Sequence, residues 1–558
     1  MAIPRRRGLA AVVLVTSLAL TSCSGQADNA SEKNKDSKGS DKVVLASAML
    51  PESLNPLSGY GGGGISKINQ GLYTIETVKE GTGSSKGADR SGAPKAMPKL
   101  VPLLAEGEPE TKDKGKSYTV TLKDGVKFTD GTDLDASDIV ATYEAILDPK
   151  VGSPLISDMG EIEKVEADGD NKVVFTFKTA MADVKPLLMV GIAPSEHIKK
   201  GETITESEMN RKPIGTGPYK VEEFKPGRYV LVSNPDYFMG EPALKRIESI
   251  EVKDDAARAQ RMTSGEFNGT ILPPRAVSAF EDNPDFSVYQ ASSADWRGIS
   301  LPKDNPLTNT REGRLALNKG IDREAIVRGV LADRGRASAS MIPDVYGDLY
   351  TEKGEIAEDR DEALKLFEKA GWKLGGDKLM KDGKQAELNI MYPSEDTLRR
   401  DIAVALGDQF KKLGINTKVE GVDWSVAEER LDKDAMMFGG GMYPYNADAQ
   451  VYRALHTPDD QEDAWLYNPS GYSNKDMDKA LDKARSTLDA KERVENYHKI
   501  QELYAEDPAM LVVGFIDHNY VQAKNVEDQF NRTGLLVEPH EHGTDWGPWA
   551  QVQEWKKK

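Results

Sequence analysis

The chain has 558 residues, 73 Lys and Arg against 91 Asp and Glu, and a net charge of −18. So acidic a surface argues against nucleic acid as a partner, and a make-up of 29% charged and 38% hydrophobic residues excludes a multi-span membrane protein. The length exceeds one ordinary hydrophobic core, so two or more lobes are expected.

Residues 1–23 read as a targeting segment. Arg5, Arg6 and Arg7 form a basic start, and Gly8 to Leu20 an apolar stretch too short for a comfortable membrane span. Leu20-Thr21-Ser22-Cys23 then looks like a bacterial lipobox, whose cysteine is lipidated after cleavage. Cys23 is the sole cysteine of the chain, so no intramolecular disulfide is possible. Acyl chains contribute about 0.8 kcal/mol per buried CH₂, so several on one cysteine anchor a protein durably. The expected address is the outer face of the cytoplasmic membrane, lipid-anchored. Residues 24–42 are polar and charged and are expected to be a disordered tether.

Val43-Val44-Leu45 opens the fold as a strand. Gly61 to Gly64 is a run of four glycines, which permits close backbone approach to a ligand. Gly81 to Pro98 is rich in Gly, Ser, Pro and Lys and reads as an exposed loop. Tyr118, Val120 and Leu122 alternate with polar residues, the period of a half-buried strand. Asp124-Gly125 turns the chain, Val126-Lys127-Phe128 resumes the alternation as a hairpin, and Asp130-Gly131 turns it again. Asp135 has the position of an N-cap, with Asp138 in the first turn. Ile139, Val140, Tyr143, Ile146 and Leu147 then form one apolar helix face, and Pro149 ends it.

Further along, residues 171–178 and Ile247 to Val252 read as strands, and Arg258 to Gly265 as a helix. Leu317 to Gly329 reads as a helix pair capped by Asp322. Glu362 to Trp372 is an amphipathic helix closed by Gly371, and Leu398 to Leu413 is another. Ile415 to Val419, Ala435 to Met437 and Leu511 to Phe515 read as strands, and Asp476 to Asp507 as two helices. No internal repeat is visible.

The stretch Gly125 to Pro149, GVKFTDGTDLDASDIVATYEAILDP, resembles the signature of the family 5 extracellular solute-binding proteins, the peptide- and nickel-type receptors of ABC importers. The resemblance continues nearly to the C-terminus: Pro51 to Pro56, Leu72-Tyr73, Pro213 to Tyr219 (PIGTGPY), Asn234 to Phe238, Leu317 to Gly329, Met341-Ile342-Pro343 and Glu362 to Trp372 each match a family step. It implies an α/β, two-lobed periplasmic-binding-protein-like fold of type II, with the extra domain of the peptide receptors and a discontinuous first lobe. The expected division is residues 43–295 for the first lobe, with an inserted subdomain at about 85–213, then 296–524 for the second lobe and 525–558 for the return. Two crossings make a hinge on which ligand closes the cleft.

Three segments are candidates for the cleft. The first is Ser58 to Gly64, with Tyr60 and Gly61. The second is Trp424, which resembles by position a pocket-lining Trp of the peptide receptors and offers apolar area plus one N–H. The third is Phe438 to Asp448, FGGGMYPYNAD, with Gly440, Gly441, Met442, Tyr443, Tyr445 and Asp448. Peptide-binding members carry in this loop an Asp that pairs with the ligand's α-ammonium. No acid stands at Tyr443 to Tyr445, and Asp448 is the nearest. The segment also resembles a loop of the nickel-type members, without the His that often follows.

Of six histidines, only His540 and His542 are clustered. On a strand they point to one face and are weak candidates for a transition metal. Gly115-Lys116-Ser117 ends like a P-loop, but Glu110 stands where the first Gly is required, and neither H-E-x-x-H nor C-x-x-C occurs. The expectation is a monomeric binding lipoprotein, not an enzyme, with no cofactor. It would capture oligopeptides and deliver them to a permease. The alternatives are a receptor for nickel or another metal chelate, or a secreted hydrolase.

Overall fold

The computed structural model describes residues 41–59, 65–78, 94–440, 446–458, 468–540 and 543–558. Two mixed sheets form the two lobes. The first has seven strands in the order Phe286–Ala291, His518–Ala523, Gly269–Ile271, Lys42–Ser47, Arg246–Glu251, Arg228–Ser233 and Tyr219–Lys225. The second has six, in the order Gly335–Ala337, Met510–Ile516, Trp296–Ser300, Ala435–Gly440, Ile390–Pro393 and Val419–Val422. Each sheet is covered by apolar clusters on both faces, as expected where helices lie on both sides.

A four-stranded antiparallel sheet, Glu110–Lys112, Ser117–Thr121, Lys172–Phe177 and Ile162–Ala167, forms the inserted subdomain with its own core. The Ala136–Leu147 helix packs here through Ile139, Tyr143 and Ile146, all fully buried. Asp135 and Asp138 form a capping box: Ser137 N donates to Asp135 at 2.7 Å and Asp135 N to Asp138 at 2.9 Å.

The expected local hairpin does not form. Ser117–Thr121 pairs with the distant Lys172–Phe177 strand, and Val126 to Phe128 makes only an isolated bridge, Lys127 to Asp133. The expected strand at Ile415 to Val419 lies a few residues later, at Val419–Val422.

The chain crosses between the sheets twice. The first crossing runs from Ala291 to Trp296, where a boundary at 295 is expected. The second comes at Asp517, between Ile516 and His518, not at 524. His518–Ala523 pairs with Phe286–Ala291 of the first sheet. The expected boundary is therefore moved: the apolar run from Met510 onward is two strands of different sheets separated by one buried acid. The C-terminal segment returns to the first lobe, where Trp549 packs against Tyr520 and covers Gly269. A buried ion pair at 2.9 Å, Lys67 to Asp545, ties it to the short Ile65–Ile68 helix. Among the described residues, no helix is long and apolar enough to cross a membrane.

The lobes are closed on each other. Met97 N donates to Val345 O at 2.9 Å, Ala182 N to Arg485 O at 2.8 Å, and Thr397 Oγ1 to Asp255 Oδ2 at 3.0 Å, each from one lobe to the other. Asp158 and Arg453 pair at 3.2 Å in the same way.

Candidate functional site

Between the lobes, each crossing carries an acid whose side chain is fully buried, Asp295 at one and Asp517 at the other. Burial alone would neutralise such groups, so each must be paired. Asp295 accepts from Arg297, from His518 Nε2 at 3.1 Å and from His540 Nδ1 at 2.9 Å. His518 is held on its other side by Glu538, at 2.6 Å, which also accepts from the Tyr520 hydroxyl at 2.6 Å and from Gly547 N at 2.8 Å. Burial opposes charge on Asp295, yet Arg297, His540 and His518 hold its carboxyl well below the usual range. Burial likewise opposes the His518 cation, but the bonds to Asp295 and Glu538 win and push it up to about 10. Asp517 accepts from Gln290 Nε2 at 2.6 Å and faces Arg336 at 3.6 Å.

From this hinge the Trp296–Ser300 strand runs into the second lobe beside Ala435–Gly440. The end of Ala435–Gly440 joins two of the three expected segments. On one face, Phe438 lies 5.8 Å from the Trp424 ring, which starts a short helix and remains 39% exposed. On the other face, Gly439 lies under two guanidiniums. A Cβ there would stand 2.5 Å from Arg297 Nη1 and 2.8 Å from Arg399 Nη2, and one on Gly440 would collide with the Trp296 indole. The glycines thus serve close approach of Arg and Trp to the strand.

Arg399 sits in the first turn of the Thr397–Lys412 helix, paired to its N-cap Asp396 at 2.5 Å. Its Nε has no acceptor. Burial and then the neighbouring Arg297 push its pKa down from the ordinary arginine value, against the pull of Asp396. Each guanidinium is paired with one carboxylate, Arg297 with Asp295 and Arg399 with Asp396, and Arg399 keeps N–H groups beyond that pair. Neither Arg297 nor Arg399 stands out in the sequence. One is a single charge in a strand and the other a surface-like residue of an amphipathic helix. The only trace is Gly439, which accommodates them.

Asp448 lies in the first turn of the Ala447–Leu455 helix, after the Asn446 cap. Arg485 grips it with contacts of 2.8 to 3.1 Å and stacks on Tyr452. Its charge is therefore already matched inside the second lobe, which corrects the expectation that it faces a ligand ammonium. Tyr60, Gly61, Gly441, Met442, Tyr443, Tyr445, His542 and Cys23 lie outside the described residues. His540 is engaged with Asp295, and among the described residues no group of three or more metal-type ligands forms. The string Gly83-Ser84-Ser85-Lys86-Gly87 carries the G-x-S-x-G spacing. It stands in a Gly/Ser/Lys-rich insertion and not between an apolar strand and a helix, the context that exposes a nucleophile, and it too lies outside the described residues.

The sequence profile described as "Bacterial extracellular solute-binding proteins, family 5 Middle" matches residues 99–462. Protein XP55 of Streptomyces lividans is 33% identical over 524 residues, covering 93% of this chain and 91% of that one. The oligopeptide-binding protein AppA of Bacillus subtilis is 29% identical over 540 residues, covering 92% and 94%. Among solved structures, NikZ from Campylobacter jejuni in complex with Ni(L-His) aligns with a TM-score of 0.79 at 25% identity, over 93% of this chain and 99% of that one. AppA from Bacillus subtilis in complex with a nonapeptide aligns with a TM-score of 0.74 at 25% identity, with the same coverage. The two-lobed fold, the hinge with its two crossings and these matches agree: the chain belongs to family 5 of the bacterial extracellular solute-binding proteins, and it is a binding protein, not an enzyme.

Proposed function

We propose that the protein captures oligopeptides outside the membrane and delivers them to the permease of an ABC importer. It works as a monomer held to the outer face of the cytoplasmic membrane by lipid on Cys23. The observation that carries this reading is the strand end at Phe438 to Gly440, where a water-exposed indole stands on one face and two guanidiniums on the other. An indole offers apolar area that tolerates varied side chains, and guanidiniums offer a bidentate seat for a terminal carboxylate. The likeness to AppA, solved with a nonapeptide, supports it.

A nickel chelate is the second reading, supported by the likeness to NikZ solved with Ni(L-His). Such a chelate also brings carboxylates, so Arg399 alone does not separate the two. Calorimetry with a free peptide, the same peptide as its C-terminal amide, and nickel with histidine does. The amide is expected to bind about 1.5–3 kcal/mol more weakly, the worth of a hydrogen bond to a charged group, and Arg399→Met to erase that difference. Equal affinity for acid and amide removes the carboxylate seat. Heat from nickel with histidine and none from any peptide establishes the chelate reading instead.

A further inference from the structure

Away from the hinge, the inserted subdomain meets the second lobe around a cavity of about 90 Å³. At the 10–15 Å³ that one water needs, this is room for about six to nine heavy atoms, enough for alanine. Its walls come from both lobes. Met181, Ala182 and Asp183 belong to the first lobe, and Asn446 to Asp448, Arg485, Arg493 and Tyr497 belong to the second. The Ala182 N–H bond to Arg485 O fixes the two walls to each other.

The four charges lining it divide into two kinds. Asp448 and Arg485 are matched to each other by three contacts. Asp183 and Arg493 are not: neither has an ion-pair partner within 4.0 Å among the described residues. Asp183 is exposed, and desolvation by the surrounding walls raises its pKa above the ordinary carboxylate value. Arg493 and then Lys185 pull the other way, and Asp448 adds to the rise. Tyr497, which is buried, stands in the field of all four charges. An acid on one wall and an arginine on the other, held apart across a space of this size, form a split ion pair. Each end lacks a counter-charge within ion-pair distance among the described residues.

We propose that Asp183 and Arg493 form a second subsite, distinct from the Trp424–Arg399 strand end, that takes a small zwitterion: its ammonium on Asp183 and its carboxylate on Arg493. The ligand class is the free α-amino acid, or the same pair of termini on a ligand small enough for the cavity. The subsite exists only where the lobes meet, so this proposal rests on the receptor reading, and its occupant adds to closure by bridging them.

Calorimetry and thermal melting of the mature protein with alanine test it. Alanine is expected to bind and to raise the melting temperature. N-acetylalanine lacks the ammonium and alaninamide the carboxylate, and each is expected to bind at least tenfold more weakly. Asp183→Asn and Arg493→Gln are expected to weaken alanine to the same degree, and Arg399→Met to leave it unchanged. No stabilisation by alanine at millimolar concentration would mean that the cavity holds water only and overturns the proposal, as would equal binding of the two blocked analogues. Loss of alanine binding in Arg399→Met would place the amino acid at the strand end and also overturns it. The receptor reading fails separately, if no peptide and no chelate produces binding heat.

Discussion

Replacing His518 with Gln tests whether the hinge is held by a buried imidazolium. The ring stands between Asp295 and Glu538, both with side chains at most 1% exposed, and has almost no exposed surface itself. Arg297 and His540 share Asp295, and Tyr520 shares Glu538. The folded value of about 10 against the ordinary 6.5, at about 1.4 kcal/mol per unit, makes the linked stabilisation on the order of 5 kcal/mol. Breaking a buried pair by removing one partner costs about 3–5 kcal/mol, the same scale. Because the folded pKa is raised, the stabilisation is fully present below pH 6.5 and is lost as pH climbs to about 10. Urea unfolding of wild type and His518→Gln, followed by tryptophan fluorescence at pH 6, 8 and 9.5, reads this directly. The stability difference is expected to be largest at pH 6, about 2 kcal/mol smaller at pH 8, and to have lost most of its pH-dependent part by pH 9.5. A difference that is flat across this range, or that grows with pH, refutes a charged His518 in the fold.

Asp448→Asn is expected to cost about 1.5–3 kcal/mol of stability, because Arg485, only 15% exposed, loses a bidentate carboxylate. Free and N-acetylated peptides are expected to be affected equally in this variant, measured by calorimetry, and a loss confined to free peptides would restore the ammonium role. Cys23→Ala is expected to release the protein from the membrane fraction into the medium or periplasm. Unchanged fractionation of that variant would show that something other than lipid on Cys23 holds it.

Local signals carried far in this chain. The capping box at Asp135 and Asp138, the Asp322 cap and the turn at Gly371 were legible because each needs only a few neighbouring residues. Strand partners were not. Val126 to Phe128 has the alternation of a hairpin arm, yet Ser117–Thr121 pairs with a strand beyond the intervening helix. The second crossing at Asp517 hides for a similar reason: residues on either side are equally buried, so burial pattern alone does not show a change of sheet. Among the candidate site residues, the Phe438 to Gly440 stretch and the exposed Trp424 stand together at one strand end. Arg297, Arg399, Asp183 and Arg493 did not stand out, because a charge in a sequence looks the same whether it meets water or another lobe. Asp448 was misleading for the converse reason: its partner, Arg485, stands on a separate helix.

Native mass spectrometry of the protein purified from its own host, followed by denaturation and sequencing of what is released, shows whether the cleft takes peptides. A spread of mass excesses that resolves into mixed oligopeptides with free C-termini is expected. A single, uniform excess matching nickel with histidine would contradict it.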